Sequence, residues 1–468
     1  MAYQLSDLIE YDLSVAMTAE TDQTLGLHLH KSLRQEDLAF AYWAPSVGRF
    51  RFSAIISTLI LPEEGERVLQ GNVAFLPEYL ERVLENLPRG AGIAFMHGHL
   101  GPGWQAMSDD DVVAERDRLA GVVAGVTGLP LVGLTRGTDG AWSARFWARS
   151  GPRTYERRDA RTVRVVGQAL RIIFHPSDVP PKPTSSQVET INVWGARAHA
   201  DLARARVGIA GLGSVGSLAA EGCSRLGVSR PTYIDHDLLE MRNLDRTHGA
   251  TVADVLAGLT KVAVAARATA LSHTSPTLDL RVVPRSILTT EGFEAALDCD
   301  VLLSCVDRPL PRHLLNSLAF AHLIPVVDGG IFAQVTPKGT PQHVAWRIHS
   351  VGPERACMVC LGALRRSDVA LDREGKLDDP DYVAGLSEHD KAVISRRNVF
   401  PFSMAVAAHQ VLQMVGLVTG FERIGGAGPQ VYDAYPGEMA VLEVSCDPDC
   451  EYVALTATAA NIGSGVDE

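Results

Sequence analysis

Arg206-Val207-Gly208-Ile209-Ala210-Gly211-Leu212-Gly213-Ser214-Val215-Gly216 is the stretch on which the fold turns. Its first five positions form a short apolar run, the pattern of a buried strand, and the G-x-G-x-x-G that follows opens a helix. The N–H groups of such a turn, with the helix amino terminus behind them, form a cradle for a phosphate chain. Further strand patterns over Val228–Ile234, Val301–Ser304 and Pro325–Val327 alternate with helical ones. That alternation predicts an α/β fold with a Rossmann-like, doubly wound parallel sheet. A helix is expected over Ser403–Val418, and Leu371–Arg397 reads as a polar, mobile excursion before it.

Upstream, strands are expected at Leu38–Ala44, Arg49–Leu61, Gly92–His97, Leu129–Leu134, Ala141–Ala148 and Thr162–Ile173, with helices at Thr18–Arg34 and Leu76–Leu87. A further helix is opened by Ser108 and the acidic first turn Asp109–Asp111. The proline-rich text around Pro180-Pro181-Lys182-Pro183 marks an extended linker. The expected organisation is an α/β domain over 1–175, a linker over 176–190, a second domain over 191–458 and a flexible tail over 459–468.

The chain has 468 residues, enough for two or three domains, and a formal charge of -12. An acidic balance without a basic stripe argues against nucleic acid and anionic membranes as partners. No run of eighteen apolar residues occurs, and Asp7, Glu10 and Asp12 stand where a secretion signal needs basic and apolar residues, so a cytoplasmic protein is expected. The seven cysteines include two close pairs, Cys357-x2-Cys360 and Cys446-x3-Cys450, which in such a chain read as four metal ligands.

Beyond the glycine loop lie Asp235-His236-Asp237, Asn243, Arg246, Lys261, one of only six lysines, then Ser304-Cys305-Val306-Asp307 and Arg312. This ordered set, over roughly Val193–Glu451, resembles the ThiF/MoeB family, the adenylating core shared with ubiquitin-activating enzymes. The resemblance implies that Gly211, Gly213, Gly216, Asp235, Asp237 and Arg312 help to bind ATP. It also implies that Asn243, Arg246 and Lys261 contact the phosphates, that Asp307 carries Mg2+, and that the enzyme is a homodimer. Chemistry agrees, because attack of a carboxylate on an α-phosphate needs cations on the departing pyrophosphate.

The sequence departs from the family in two places: no arginine lies between Arg171 and Arg197, and Arg308 replaces a small amide after Asp307. In relatives, two cysteine pairs hold a structural Zn2+, usually with both pairs spaced by two. No cysteine lies between Cys360 and Cys446, where thioester-forming relatives carry one.

In the first domain, His97-x-His99 ends a strand and Asp111 opens a helix, supplying three ligands for a catalytic Zn2+ with a fourth position for water. Together with Glu36 and Ser108 this set resembles the JAMM (MPN+) metallopeptidases, within a JAB/MPN-like domain. The resemblance implies that Glu36 shuttles the proton and Ser108 steadies the oxyanion. The His99–Ser108 interval is one residue longer than the family pattern, across a Gly101-Pro102-Gly103 loop.

The leading expectation is an activating enzyme that adenylates the carboxyl-terminal glycine of a ubiquitin-like protein. A peptidase on the same chain would process that protein or its conjugates, in a bacterial ubiquitination-like pathway with a downstream conjugating enzyme. The alternative is adenylation of a ThiS/MoaD-like sulfur-carrier protein, with a trimming or non-catalytic first domain. A nicotinamide oxidoreductase ranks last, since hydride transfer needs none of this cation set.

Overall fold

The computed structural model describes residues 3–31, 35–70, 72–335, 341–386, 398–421 and 428–462. The chain divides into two compact units, one of Met1–Gly167, Arg171–Val179 and Thr456–Ala460, the other of Gln168–Leu170, Pro180–Leu455 and Asn461–Glu468.

The first unit is built on a mixed sheet whose order is Leu170–Phe174, Thr162–Val166, Asp12–Thr18, Arg51–Ile60, Leu38–Val47, Gly92–Gly98, Leu131–Arg136, Trp142–Gly151 and Thr154–Asp159. Asp12–Thr18 was not expected from the sequence. It pairs in parallel with Thr162–Val166 and Arg51–Ile60, and six of its seven residues are buried, Ser14 and Thr18 among them, although Leu13, Val15 and Met17 alternate with Asp12, Ser14, Ala16 and Thr18 in the sequence. The single strand expected over Thr162–Ile173 is two strands, 162–166 and 170–174. Gly92–Gly98 pairs antiparallel with Leu38–Val47 and parallel with Leu131–Arg136, which brings His97 level with Leu38 on one side and Thr135 on the other.

The helix expected at Thr18–Arg34 spans Ala19–Leu29, capped by the Thr18 hydroxyl, and residues 32–34 lie outside the described residues. Ser108 caps the helix Asp109–Val112 in a reciprocal box with Asp111. That helix continues as a π-helical stretch, Val113–Leu119, and then as Ala120–Thr127.

In the second unit the sheet order is Arg281–Val283, Arg230–Ile234, Arg206–Ala210, Val301–Ser304, Val326–Val335, Pro341–Val351, Gln430–Asp433 and Glu438–Val441. The first five strands are parallel and the last three pair antiparallel, so the sheet is mixed rather than wholly parallel as expected. Chain order reverses between Arg206–Ala210 and Val301–Ser304. In such sheets the crevice at that reversal, beyond the strands' carboxyl ends, is where ligands bind. Helices Thr290–Leu297 and Pro309–Ala321 share one core with Ala210, Ile234, Leu302 and Val326.

Of the region read as an excursion, the described residues 371–386 hold the end of the helix Arg366–Arg373 and the helix Pro380–Ala384. Val369 joins the core, and the buried Asp372 accepts the Leu310 N–H at 2.8 Å. Residues 387–397, the end of that expectation, and 463–468 of the expected tail lie outside the described residues. Val188–Trp194 is already helical, so helix begins within the expected 176–190 linker.

Phe400–Thr419 is apolar and long enough to cross a membrane by composition, yet most of it is buried against Ser214–Arg225 and the strands of its unit. Its fully buried Gln410 donates to the carbonyls of Ser304 (2.9 Å) and Val327 (3.1 Å), tying the helix to two adjacent strand ends. Replacing Gln410 by leucine leaves both carbonyls buried without that donor. We expect a loss of about 2–3 kcal/mol in urea unfolding, since each orphaned polar group costs about 1–3 kcal/mol.

Candidate functional site

At the strand-order reversal a cleft of about 1450 Å³ opens. Gly211 and Gly213 line it after Arg206–Ala210, Asp235 and Asp237 after Arg230–Ile234, and Asp307 after Val301–Ser304; Asn243, Arg246, Lys261 and Arg312 complete the expected set. Gly216 sits one helical turn behind, where a Cβ would lie 1.8 Å from the Gly211 carbonyl oxygen. At Gly211 itself φ is +88°, and a Cβ would lie 2.7 Å from the Cys305 carbonyl oxygen.

Asp235 anchors the loop. Its carboxylate accepts the N–H of Leu212 at 2.6 Å and of Asp237 at 2.8 Å, while burial raises its pKa. Lys261 Nζ lies 2.6 Å from Asp237, and the Arg246 guanidinium donates to the Arg242 carbonyl and to Asp245. Both cations are partly buried, their local partners Asp237, Arg242 and Asp245 are exposed, and both cations line the cleft.

Arg312 differs from expectation. It reaches the cleft, but both edges of its guanidinium are engaged, by the buried Asp328 and by the Ala363 carbonyl. Arg308 is similarly held by Asp372 and Asp378. Sequence reasoning did not identify Gly329, Gly330, Arg347 and Asn398, which also line the cleft. The Asp328-Gly329-Gly330 text was the available signal, since glycines inside a strand mark a close backbone approach.

Cys305 also lines the cleft and is partly exposed, but loss of water around its sulfur pushes the thiol well above the ordinary range; the fully buried Cys223 is pushed up to about 12. Neither suits a nucleophile, which must be a thiolate. The four paired cysteines converge, with their sulfurs within 4.8 Å of one another. Cys357 and Cys450 sulfurs are 3.7 Å apart, and the N–H of Cys360 points to the Cys357 sulfur. Four sulfurs in one cluster fit a tetrahedral zinc site.

In the first unit, Nε2 of His97 and of His99 are 3.2 Å apart, and each lies 3.2 Å from an Asp111 carboxylate oxygen. Burial would raise the Asp111 carboxyl, but hydrogen bonds from the two histidines outweigh it and carry the group well below the usual carboxylate range. His99 is raised, chiefly by Asp111. Two nitrogens and a carboxylate converging at this separation fit a divalent metal with an open position. Glu36 precedes the strand that pairs with Gly92–Gly98, close enough for its charge to act on His99. The Ser108 hydroxyl accepts the Asp111 N–H at 3.2 Å.

A profile of the ThiF family matches residues 184–451, more than half of the chain. Among curated proteins, the ubiquitin-like modifier-activating enzyme 5 of Drosophila melanogaster is 28% identical over 186 residues, covering 36% of this chain and 43% of that protein. The chain thus spans less than half the length of this relative. The molybdopterin-synthase adenylyltransferase of Escherichia coli K12 is 24% identical over 248 residues, covering 53% of this chain and 86% of that one. Among solved structures, E. coli MccB with ATP aligns with a TM-score of 0.44 and 14% identity, over 57% of this chain and 74% of that one.

Beneath the cleft, the fully buried His349 faces Asp328 at 3.9 Å, and burial pushes its imidazole down to about 3 from 6.5. The folded pKa is below the unfolded one, so this stability is intact above about pH 6.5 and is lost progressively as pH falls toward 3. Urea unfolding between pH 7 and pH 5 should show stability falling with pH, and the His349→Gln variant should flatten that fall by up to about 1.4 kcal/mol per pH unit.

Proposed function

Because the chain belongs to the ThiF family, we propose that its second unit is an ATP-dependent adenylyltransferase acting on the carboxyl-terminal glycine of a ubiquitin-like or sulfur-carrier protein. The observation that carries this reading is the cleft itself, which sets the Gly211–Gly216 loop, Arg246, Lys261 and Asp307 around one space at the strand-order reversal. Phosphates on the loop N–H groups leave the α-phosphate open to a carboxylate. Arg246 and Lys261 would supply positive charge to the departing pyrophosphate, and Asp307 would hold Mg2+. With the Cys305 thiol pushed up and no cysteine between Cys360 and Cys446, the acyl adenylate passes directly to an acceptor. A homodimer is the proposed assembly, and the paired cysteines hold a structural zinc.

We further propose that the first unit is a zinc peptidase of JAMM type that processes the same carrier or its conjugates, in a bacterial-type pathway. The convergence of His97, His99 and Asp111 supports it. His97, His99 and Asp111 would hold the zinc, which when bound would supply a water activated at neutral pH. Glu36 would take the proton, and Asp111, fixed by its hydrogen bond to the Ser108 N–H at 2.7 Å, holds the two histidines together.

ATP–pyrophosphate exchange tests the first proposal. Exchange should require a carrier ending in glycine, and Lys261→Ala or Arg246→Ala should each lower it by about 10²-fold or more, the scale of removing one transition-state charge partner. Carrier-independent or absent exchange across candidate carriers would count against it. Product analysis separates the two pathways: an amide or ester on a protein, or a thiocarboxylate on the carrier. For the second proposal, elemental analysis should find two zinc equivalents per chain, falling to one in His97→Ala/His99→Ala.

A further inference from the structure

Arg347 is a cation of the cleft to which the adenylation scheme assigns no task. Strand Pro341–Val351 brings it level with Gly330 of Val326–Val335. Gly330 has no side chain in its way: a Cβ there would lie 3.0 Å from Arg347 Nη2 and 3.1 Å from its Cζ. At Gly329 a Cβ would instead meet Val406 and Gln410, so the guanidinium lies across the neighbouring strand on the face away from helix Phe400–Thr419. Register fixes its height. Ser304 ends its own strand level with Asp328, so Gly330 and Arg347 stand two residues past that end, at the height of the turn that carries Asp307.

The charges around Arg347 do not balance. The fully buried Asp328 is taken along two edges by Arg312. Arg347 Nη2 lies 3.6 Å from the same carboxylate, beyond hydrogen-bond reach, and donates to the Ala363 carbonyl at 3.0 Å, which Arg312 also uses. Its Nε has no hydrogen-bond partner among the described residues. His349, which faces Asp328 from below, is neutral at pH 7, so two guanidiniums share one carboxylate. Loss of water and the Arg312 charge pull Arg347 down to about 10, as expected of a cation short of anionic partners. About a quarter of its side chain is exposed, and that part lines the cleft.

Adenylation brings two anions to the cleft, the triphosphate and the carboxylate of the acyl substrate, and they repel each other. The glycine loop that cradles phosphate follows strand Arg206–Ala210. The Arg347 guanidinium lies over Val326–Val335, two strands away across Val301–Ser304, or about 10 Å at ~4.8 Å per strand. That separation sets it beyond the phosphate cradle, and its planar fork matches a carboxylate.

We propose that Arg347, seated over Gly330, binds the terminal carboxylate of the acyl substrate and presents it to the α-phosphate. The inference rests on the adenylation reading given above. In that reaction a carboxylate oxygen bonds to the α-phosphorus while the bond from that phosphorus to the oxygen bridging the β-phosphate breaks, its electron pair leaving with pyrophosphate. Arg347 acts before the bond forms, by offsetting the repulsion between the two anions. The Ala363 carbonyl keeps the guanidinium from turning away.

The test uses the full chain with Mg2+ and α,β-methylene ATP, an analogue that cannot release pyrophosphate. The probe is N-acetyl-Gly-Gly, with its carboxamide as the uncharged control, and both affinities are read by ligand-detected NMR. The wild type should prefer the carboxylate by about tenfold or more, the scale of a charge-assisted hydrogen bond. Arg347→Met should bring that ratio within about twofold of unity while leaving the affinity for the nucleotide analogue within about threefold of wild type. Gly330→Ala keeps the charge but displaces the guanidinium, so it should also lower the ratio, and it decides the matter if Arg347→Met does not fold. An unchanged ratio in the variants, or a wild type that does not distinguish the two probes, would overturn the assignment. So would a loss of nucleotide affinity in place of carboxylate preference, which would make Arg347 a phosphate ligand. Failure of the adenylation reading looks different, because the wild type would then bind no nucleotide.

Discussion

Where strand Arg206–Ala210 ends, the backbone must turn left-handed and pass against the turn that follows strand Val301–Ser304. Gly211 meets both demands, and a single added carbon would collide with the Cys305 carbonyl. This close approach is what makes one cleft out of two strand ends. It sets the glycine loop and Asp307 on one cleft, which Cys305 also lines. The buried Asp235 then fastens the loop to the next strand end through two backbone N–H groups. Every cation of the cleft is arranged around a frame whose tolerance is smaller than a methyl group.

Both units place charged side chains in their interiors, and in both the charges are paired with care. Asp328 and Arg312 in the second unit, and Glu115 and Arg145 in the first, each form two-edged contacts with further donors or acceptors completing them. A buried pair of this kind is weak evidence for stability, because taking two ions out of water costs several kcal/mol each. Its value here is geometric. The Arg312 pair stiffens the floor of the cleft, and the Glu115 pair lies on the sheet beneath the histidines.

Strands 206–210 and 301–304 were legible in the sequence to the residue, since each is an apolar run closed by a turn signal at the cleft. The chemistry-bearing residues were legible for the same reason: the ends of such strands carry sites. Asp12–Thr18 was not, although Leu13, Val15 and Met17 alternate with Asp12, Ser14, Ala16 and Thr18, because the run is short and one strand that fixes it is distant, Thr162 lying 148 positions from Ser14. The antiparallel extension through Pro341–Val351 and Gln430–Asp433 escaped notice because its pairing is long-range and its burial irregular. Local text also could not show that Arg312 is committed to Asp328, or that Glu115 turns inward. Those facts depend on partners 16 and 30 positions away.

Cys357 and Cys450 stand 93 positions apart, yet their sulfurs nearly touch. An ion held by the four sulfurs, as proposed, would act as the clasp of a long loop, and that loop includes Asp378 and Asn398 of the cleft wall. Closing so long a loop has an entropic cost that grows only slowly with length. Because such an ion would bind the gathered thiolates and not the open chain, its binding energy would become folding energy for that span. Oxidants or chelators would then reach one wall of the cleft through the polymer physics of a loop.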